Sequence, residues 1–117
     1  MVAVSGMTPA HVTLGVSDLD ASEHFYRDVL GLIVTRANAT LVVSFGDFAL
    51  ILDSAPPTQR AKFAIGFRVS RDELDEVATR VQANGGSILA GPDAHQNGGR
   101  ALLLMDPDHY QLEILSA

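Results

Sequence analysis

The sequence predicts an α+β fold built from two βαβββ modules. Two segments of alternating apolar residues, 11–19 and 64–74, match when the second is moved back by 53 positions. Each is followed by an amphipathic helical pattern and then by three more β-like runs. A repeat of this kind indicates one supersecondary unit that occurs twice. Module one is expected at about 8–53, module two at about 61–117, and a proline-containing linker at 54–60.

The first strand of each module is predicted from period-two alternation, which is typical of a strand with one buried face. The apolar positions correspond pairwise between the modules, with Val12, Leu14 and Val16 matching Ile65, Phe67 and Val69. We expect these six side chains to face the helices.

The helices are predicted from capping boxes, in which a polar N-cap residue precedes an acidic N3 residue. Asp20 with Glu23 and Ser70 with Glu73 have this spacing. A glycine follows each helical pattern, as expected at a helix C-terminus. Three β runs then complete each module, at 32–36, 40–45 and 48–53 in module one and at 87–90, 100–105 and 110–115 in module two.

Composition excludes several function classes. The chain has 117 residues, of which 47% are hydrophobic and 19% charged, so it is expected to fold as a globular protein. The formal net charge of −6 argues against a nucleic-acid surface and against an electrostatic membrane anchor. The absence of cysteine excludes disulfides, thiolate zinc sites and cysteine nucleophiles. With no secretory signal pattern and no long apolar run, we expect a cytoplasmic protein.

Three segments carry a resemblance to a known family. His11 opens the first strand, the segment 25–32 reads FYRDVLGL, and the segment 106–113 reads DPDHYQLE. Together they resemble the vicinal-oxygen-chelate superfamily, the glyoxalase, bleomycin-resistance and extradiol-dioxygenase group. The resemblance implies a cleft between facing mixed sheets, formed within one chain or across a homodimer. It does not fix the reaction, because one fold carries many activities.

The resemblance also implies where a metal ion would bind. In metal-dependent members, His and Glu ligands come from the first and last strands of the modules. His11 and Glu113 stand at two of these positions, whereas Ala64 and Ile51 stand at the other two. One divalent ion, Zn, Ni, Mn or Fe, would therefore need a third ligand, since catalytic sites of these types usually have three. The candidates for that ligand are Asp53, His95 and His109.

Strand alternation places further residues on the same face as His11 and Glu113. The expected ligand-binding set is Thr13, Ile51, Asp53, Ala64, Arg68 and Gln111. A mostly apolar floor with a few polar groups is typical of a small-molecule site. Arg68 would favour an anionic or carbonyl-bearing ligand, or would form a salt bridge with Asp53 or Glu113.

These residues support three interpretations of His11 and Glu113. They are ligands of an incomplete metal site, a pair that orients a ligand or holds the sheets together, or a metal-free acid–base pair. The favoured hypothesis is binding of a small, mostly apolar molecule in the cleft, with a degenerate or absent metal site. The alternatives are a metal-dependent lyase, isomerase or dioxygenase, and a structural dimer without a ligand.

Three other features are weaker candidates. His24 is expected on the helix surface between Asp20 and Asp28. Tyr26 is expected to pack under the sheet, with its hydroxyl free to reach a pocket. The Gly-rich segment 91–99 is predicted to be a long loop, either a lid over the cleft or a plain connection.

Overall fold

The computed structural model describes residues 6–56, 64–94 and 99–116. The elements follow one another in an order that repeats. The first set is β1 (His11–Val16), α1 (Leu19–Glu23), a π-helical segment (His24–Val29), β2 (Ile33–Ala37), β3 (Thr40–Phe45) and β4 (Phe48–Ser54). The second set is β5 (Ala64–Arg68), α2 (Arg71–Ala83), β6 (Ile88–Ala94), β7 (Arg100–Met105) and β8 (Gln111–Ser116).

Each set of strands forms one four-stranded mixed sheet, with the orders β1-β4-β3-β2 and β5-β8-β7-β6. The first strand of each set runs parallel to the last, and the remaining neighbours are antiparallel. The predicted α+β class and the paired βαβββ order are confirmed. The parallel pairing in each sheet requires a crossover, and the helical segment supplies it.

The first helical segment differs from the prediction at its start. Asp18, not Asp20, is the N-cap, and its side chain accepts a hydrogen bond from the backbone N–H of Ala21. Either aspartate suits the cap, so the choice depended on where β1 ends. The helix then widens into the π-helical segment and ends before Gly31, whose φ of 77° suits a glycine.

The second helix agrees with the prediction at both ends. Ser70 is the N-cap, and a complete capping box joins it to Glu73. Gly85 follows the C-cap with a φ of 75°. The segment after this helix is a partial correction, because β6 continues to Ala94 where a loop was expected from residue 91. Residues 95–98, including His95, lie outside the described residues.

One continuous hydrophobic core joins the helix-facing sides of both sheets. It contains Leu14 and Val16 from β1, Leu50 and Leu52 from β4, and the equivalent pair Leu112 and Ile114 from β8. Phe67 and Val69, which match Leu14 and Val16 in module two, are only partly buried and pack against this core. Among the described residues, no helix is both long and apolar enough to span a membrane.

Candidate functional site

The open face of the first sheet lies opposite the helices. Along β1, His11 and Thr13 are exposed, whereas Leu14 and Val16 are buried. The register places His11 beside Ala49 and Thr13 beside Ile51 of β4. An imidazole and a hydroxyl on β1 therefore lie beside the aliphatic side chains of Ala49 and Ile51 on β4.

The open face of the second sheet carries the complementary set. Ala64 and Gly66 are exposed on β5, and they pair with Gln111 and Glu113 of β8. Glu113 is half-buried, while its strand neighbours Leu112 and Ile114 are buried on the other side of the sheet. A carboxylate thus lies in the middle of this face.

The registers show which positions are equivalent in the two modules. Thr13 and Gly66 each lie two residues beyond the start of their first strand, and they pair with Ile51 and Glu113 respectively. Ile51 therefore occupies in the first sheet the place that Glu113 occupies in the second. In the same way, Ala64 occupies the place of His11. At these two matched positions, each face carries one ionisable group where it could carry two.

The other polar groups near these faces have different surroundings. The Asp53 carboxylate accepts a hydrogen bond of 2.7 Å from the Thr40 hydroxyl. Arg68 is exposed at the end of β5, and within the described part of the chain it forms no ion pair with Asp53 or Glu113. The possible salt bridge to either carboxylate is therefore not formed. At the far end of β1, the backbone of Ala55 and Pro56 covers Gly15 closely.

Within the single chain, the described residues do not bring together a three-ligand metal centre. No group of three or more His, Asp or Glu residues converges anywhere in the ranges 6–56, 64–94 and 99–116. His11 and Glu113 lie on different sheets, and the position equivalent to His11 is an alanine, which has no donor atom. Asp53, the remaining candidate on these faces, is bonded to Thr40.

Two more histidines within the described residues, His24 and His109, lie away from the open faces. His24 is exposed on the π-helical segment, and its Nδ1 lies 3.0 Å from an Asp28 carboxylate oxygen, as expected of a surface helix residue. His109 is exposed in the turn before β8, with a φ of 69°. This backbone region is rare for residues other than glycine and is accessible to histidine at modest cost.

A buried polar cluster, which no local sequence pattern predicted, joins the two modules at this turn. The Tyr26 hydroxyl donates to Asp106 over 2.7 Å, and the other Asp106 oxygen accepts from the backbone N–H groups of Asp108 and Tyr110. Asp108 in turn accepts from the backbone N–H and the hydroxyl of Ser17. The tertiary contacts therefore assign the two aspartates of the turn to inter-module packing.

Burial changes the titration of this cluster. It raises the pKa of Asp106 above its ordinary value, while hydrogen bonds from Tyr26 and the two backbone N–H groups act in the opposite direction. Burial also raises the pKa of Tyr26 well above its ordinary value, and the neighbouring Asp106 adds to the effect. The Tyr26 hydroxyl therefore stays protonated at neutral pH and serves as a donor inside the protein, without reaching a pocket.

Known proteins share this sequence pattern and this architecture. Glutathione transferase FosA of Serratia marcescens is 29% identical over 111 residues, which cover 89% of this chain and 77% of the relative. Metallothiol transferase FosB of Staphylococcus haemolyticus is 26% identical over 110 residues, covering 89% of this chain and 79% of the relative. The crystal structure of a glyoxalase/dioxygenase from Nostoc punctiforme superimposes with a TM-score of 0.82 at 22% identity, covering 99% and 96% of the two chains.

A family model describes almost the whole chain. The model of the Glyoxalase/Bleomycin resistance protein/Dioxygenase superfamily matches residues 8–114, which include both sheets, both helices and the buried turn. With the fold, the repeated register and these relatives in agreement, the chain belongs to the Glyoxalase/Bleomycin resistance protein/Dioxygenase superfamily.

Proposed function

We propose that this protein binds a small, mostly apolar molecule. The ligand would lie between the open face of the first sheet, β1-β4-β3-β2, and the open face of the second sheet, β5-β8-β7-β6. The observation that supports the proposal is the composition of the two faces. Ile51 and Ala64 each stand where the other face carries an ionisable group, and the neighbouring strands add Val42 to the first face and Leu103 to the second. Apolar walls with a few polar groups are the usual composition of a small-molecule site.

The polar groups that remain would orient the ligand. His11, Thr13 and Glu113 offer one imidazole, one hydroxyl and one carboxylate, none of which is hydrogen-bonded to another described side chain. A ligand that donates to Glu113 and contacts His11 would need both faces at once. Removing either group would therefore lower the affinity while leaving the apolar contacts in place.

The exposure of the faces favours a homodimer as the functional unit. Residues with little polar character, such as Ala64, Gly66 and Ile33, are solvent-exposed in the single chain, and Ile33 has 72% of its surface accessible. Apolar surface left open on a sheet is commonly covered by a partner or a ligand. In a two-fold symmetric dimer, the first sheet of each copy would face the second sheet of the other copy.

The experiment is a thermal-shift screen of small apolar compounds, performed with and without EDTA. At a hundredfold excess over Kd, a ligand stabilises the folded state by about 2.7 kcal/mol, which is a measurable rise in Tm. We expect the stabilisation to persist in EDTA and to be lost in Ile51→Glu, which places a charge on the apolar floor. Stabilisation that disappears in EDTA would contradict the proposal.

A second candidate function is a metal-dependent lyase, isomerase or dioxygenase that uses His11 and Glu113 with a third ligand. The name of the FosB relative, metallothiol transferase, favours it. Elemental analysis of protein expressed with Zn, Ni, Mn and Fe, without a tag or chelator, separates the two candidates. A stoichiometric metal that falls in His11→Ala and Glu113→Gln, but not in the surface control His24→Ala, would establish this second function instead.

A further inference from the structure

A cavity lies on the helix-facing side of the sheets, where module one meets module two. It has a volume of about 240 Å³. Leu30, Leu32 and Phe45 line it from module one, and Phe67, Arg68 and Val77 are among the residues that line it from module two. We call it the seam cavity. Arg68 belongs both to this cavity and to the set expected on the open faces, whereas His11, Thr13, Ile51 and Glu113 do not line the cavity.

The wall of the seam cavity is apolar and partly aromatic. The rings of Phe45 and Phe67 are stacked, with centroids 4.5 Å apart and planes 17° from parallel. Both side chains are only half-buried, so solvent still reaches the rings. An apolar molecule that displaced this solvent would be stabilised in proportion to the apolar surface that it buried.

Arg68 is the one charged residue in the described wall of this cavity. β5 is an edge strand of its sheet, so a residue at its end can border both the open face and the seam. The guanidinium forms no ion pair with any acidic residue in the described parts of the chain. A cation that no acidic residue of the described chain neutralises, placed beside an apolar cavity, is complementary to an anion that carries an apolar body.

We propose that the seam cavity binds a small amphipathic carboxylate. The apolar body lies among Leu32, Phe45, Phe67 and Val77, and the carboxylate pairs with Arg68, whose planar guanidinium can bond both oxygens. Because both modules supply the wall, such a ligand would also bridge them. The inference does not rest on the function proposed for the open faces.

The test is titration of the full chain with octanoate, followed by calorimetry and by amide NMR shifts. We expect the largest shifts at Leu32, Phe45, Phe67 and Val77. Octanol, which keeps the tail but lacks the charge, should bind at least about tenfold more weakly, since it cannot form the charge-assisted hydrogen bonds to Arg68. Arg68→Gln should weaken octanoate binding by a similar factor, and this exposed substitution leaves the core intact.

Two controls distinguish binding in the seam cavity from binding elsewhere on the protein. Arg71→Gln removes an exposed cation from the start of α2 and should leave octanoate binding unchanged. Ile51→Glu and Glu113→Gln alter the open faces and should also leave it unchanged, whether or not the function proposed for those faces is correct. Absence of octanoate binding, equal binding of octanol, an unaffected Arg68→Gln variant, or shifts centred on Thr13 and Glu113 would each overturn the proposal.

Discussion

Module one and module two have the same strand order, yet their open faces differ at matched positions. The first strand of module one begins with His11, and that of module two with Ala64. In the last strand the asymmetry is reversed, with Ile51 in module one and Glu113 in module two. The repeat therefore preserves the residues that form the core and divides the ionisable residues between the two faces.

The buried sides of the modules differ much less than the open sides. Leu50 and Leu112 occupy equivalent places, pairing with Val12 and Ile65 respectively, and both are fully buried. Apolar side chains at these positions are required by packing, whatever the ligand. The comparison indicates that packing maintains the repeat, while the chemistry of each face has diverged.

The largest expected effect is on stability, from truncating either of these two leucines. Leu50→Ala and Leu112→Ala should each lower the free energy of unfolding by about 2–5 kcal/mol, because each leaves a cavity in a close-packed core. Since the two modules share one core, urea unfolding followed by circular dichroism should show a single transition in both variants. A second transition in either one would mean that the modules unfold independently.

A smaller effect is expected from the buried cluster that joins the modules. Tyr26→Phe removes the hydroxyl that donates to the Asp106 carboxylate. It should lower the free energy of unfolding by about 1.5–3 kcal/mol, the range for hydrogen bonds to charged groups. The matched control is Tyr110→Phe, because the Tyr110 hydroxyl donates over 2.7 Å to a neutral acceptor, the Gly15 carbonyl oxygen. It should cost about 0.5–1.5 kcal/mol. Equal losses of unfolding free energy in Tyr26→Phe and Tyr110→Phe would show that the charge of Asp106 does not strengthen its hydrogen bond.

The asymmetry of the open faces can be removed by one substitution. Ala64→His gives module two the imidazole that module one has at His11. Together with His11 and Glu113, it raises the number of possible metal ligands at the matched positions to three. We expect Zn²⁺ to bind at least about tenfold more tightly than to the unsubstituted protein, since three protein ligands are typical of zinc sites that keep one open position.

Calorimetric titration with Zn²⁺ measures this change. Thr35→His, on the first open face at β2, is the control for adding a histidine elsewhere, and it should have no such effect. The gain should also disappear when His11→Ala, on the other face, is combined with Ala64→His. Tight binding that survives this combination would mean that the two open faces do not meet around the ion.

The smallest effect is expected at the helix starts. Ser70→Ala removes the N-cap of the thirteen-residue helix α2 and should cost about 1 kcal/mol. Asp18→Ala removes the cap of the five-residue helix α1, which continues into a π-helical segment with buried Phe25 and Tyr26. Tertiary contacts hold this shorter helix, so we expect a smaller change in Tm for Asp18→Ala. A larger change in Tm for Asp18→Ala than for Ser70→Ala would contradict this expectation.

The sequence by itself determined the repeat, the order of helices and strands along each module and the identity of the core-facing residues. These features depend on local patterns, such as period-two alternation, helix caps and glycines after helices, which need no knowledge of distant contacts. The capping box at Ser70 shows this well, because both partners lie within one turn. The placement of Asp20 as the first N-cap was wrong because two aspartates were equally suitable and only the end of β1 distinguished them.

Only the tertiary structure decided which polar residues are structural. Asp106 and Asp108 look like ordinary turn residues, but they are buried against Tyr26 and Ser17, which lie 80 and 91 positions away along the chain. The seam cavity likewise joins Phe45 to Phe67 across the modules. Such contacts depend on how two sheets share one core, and no local pattern contains that information, because residues distant in sequence become neighbours only after packing.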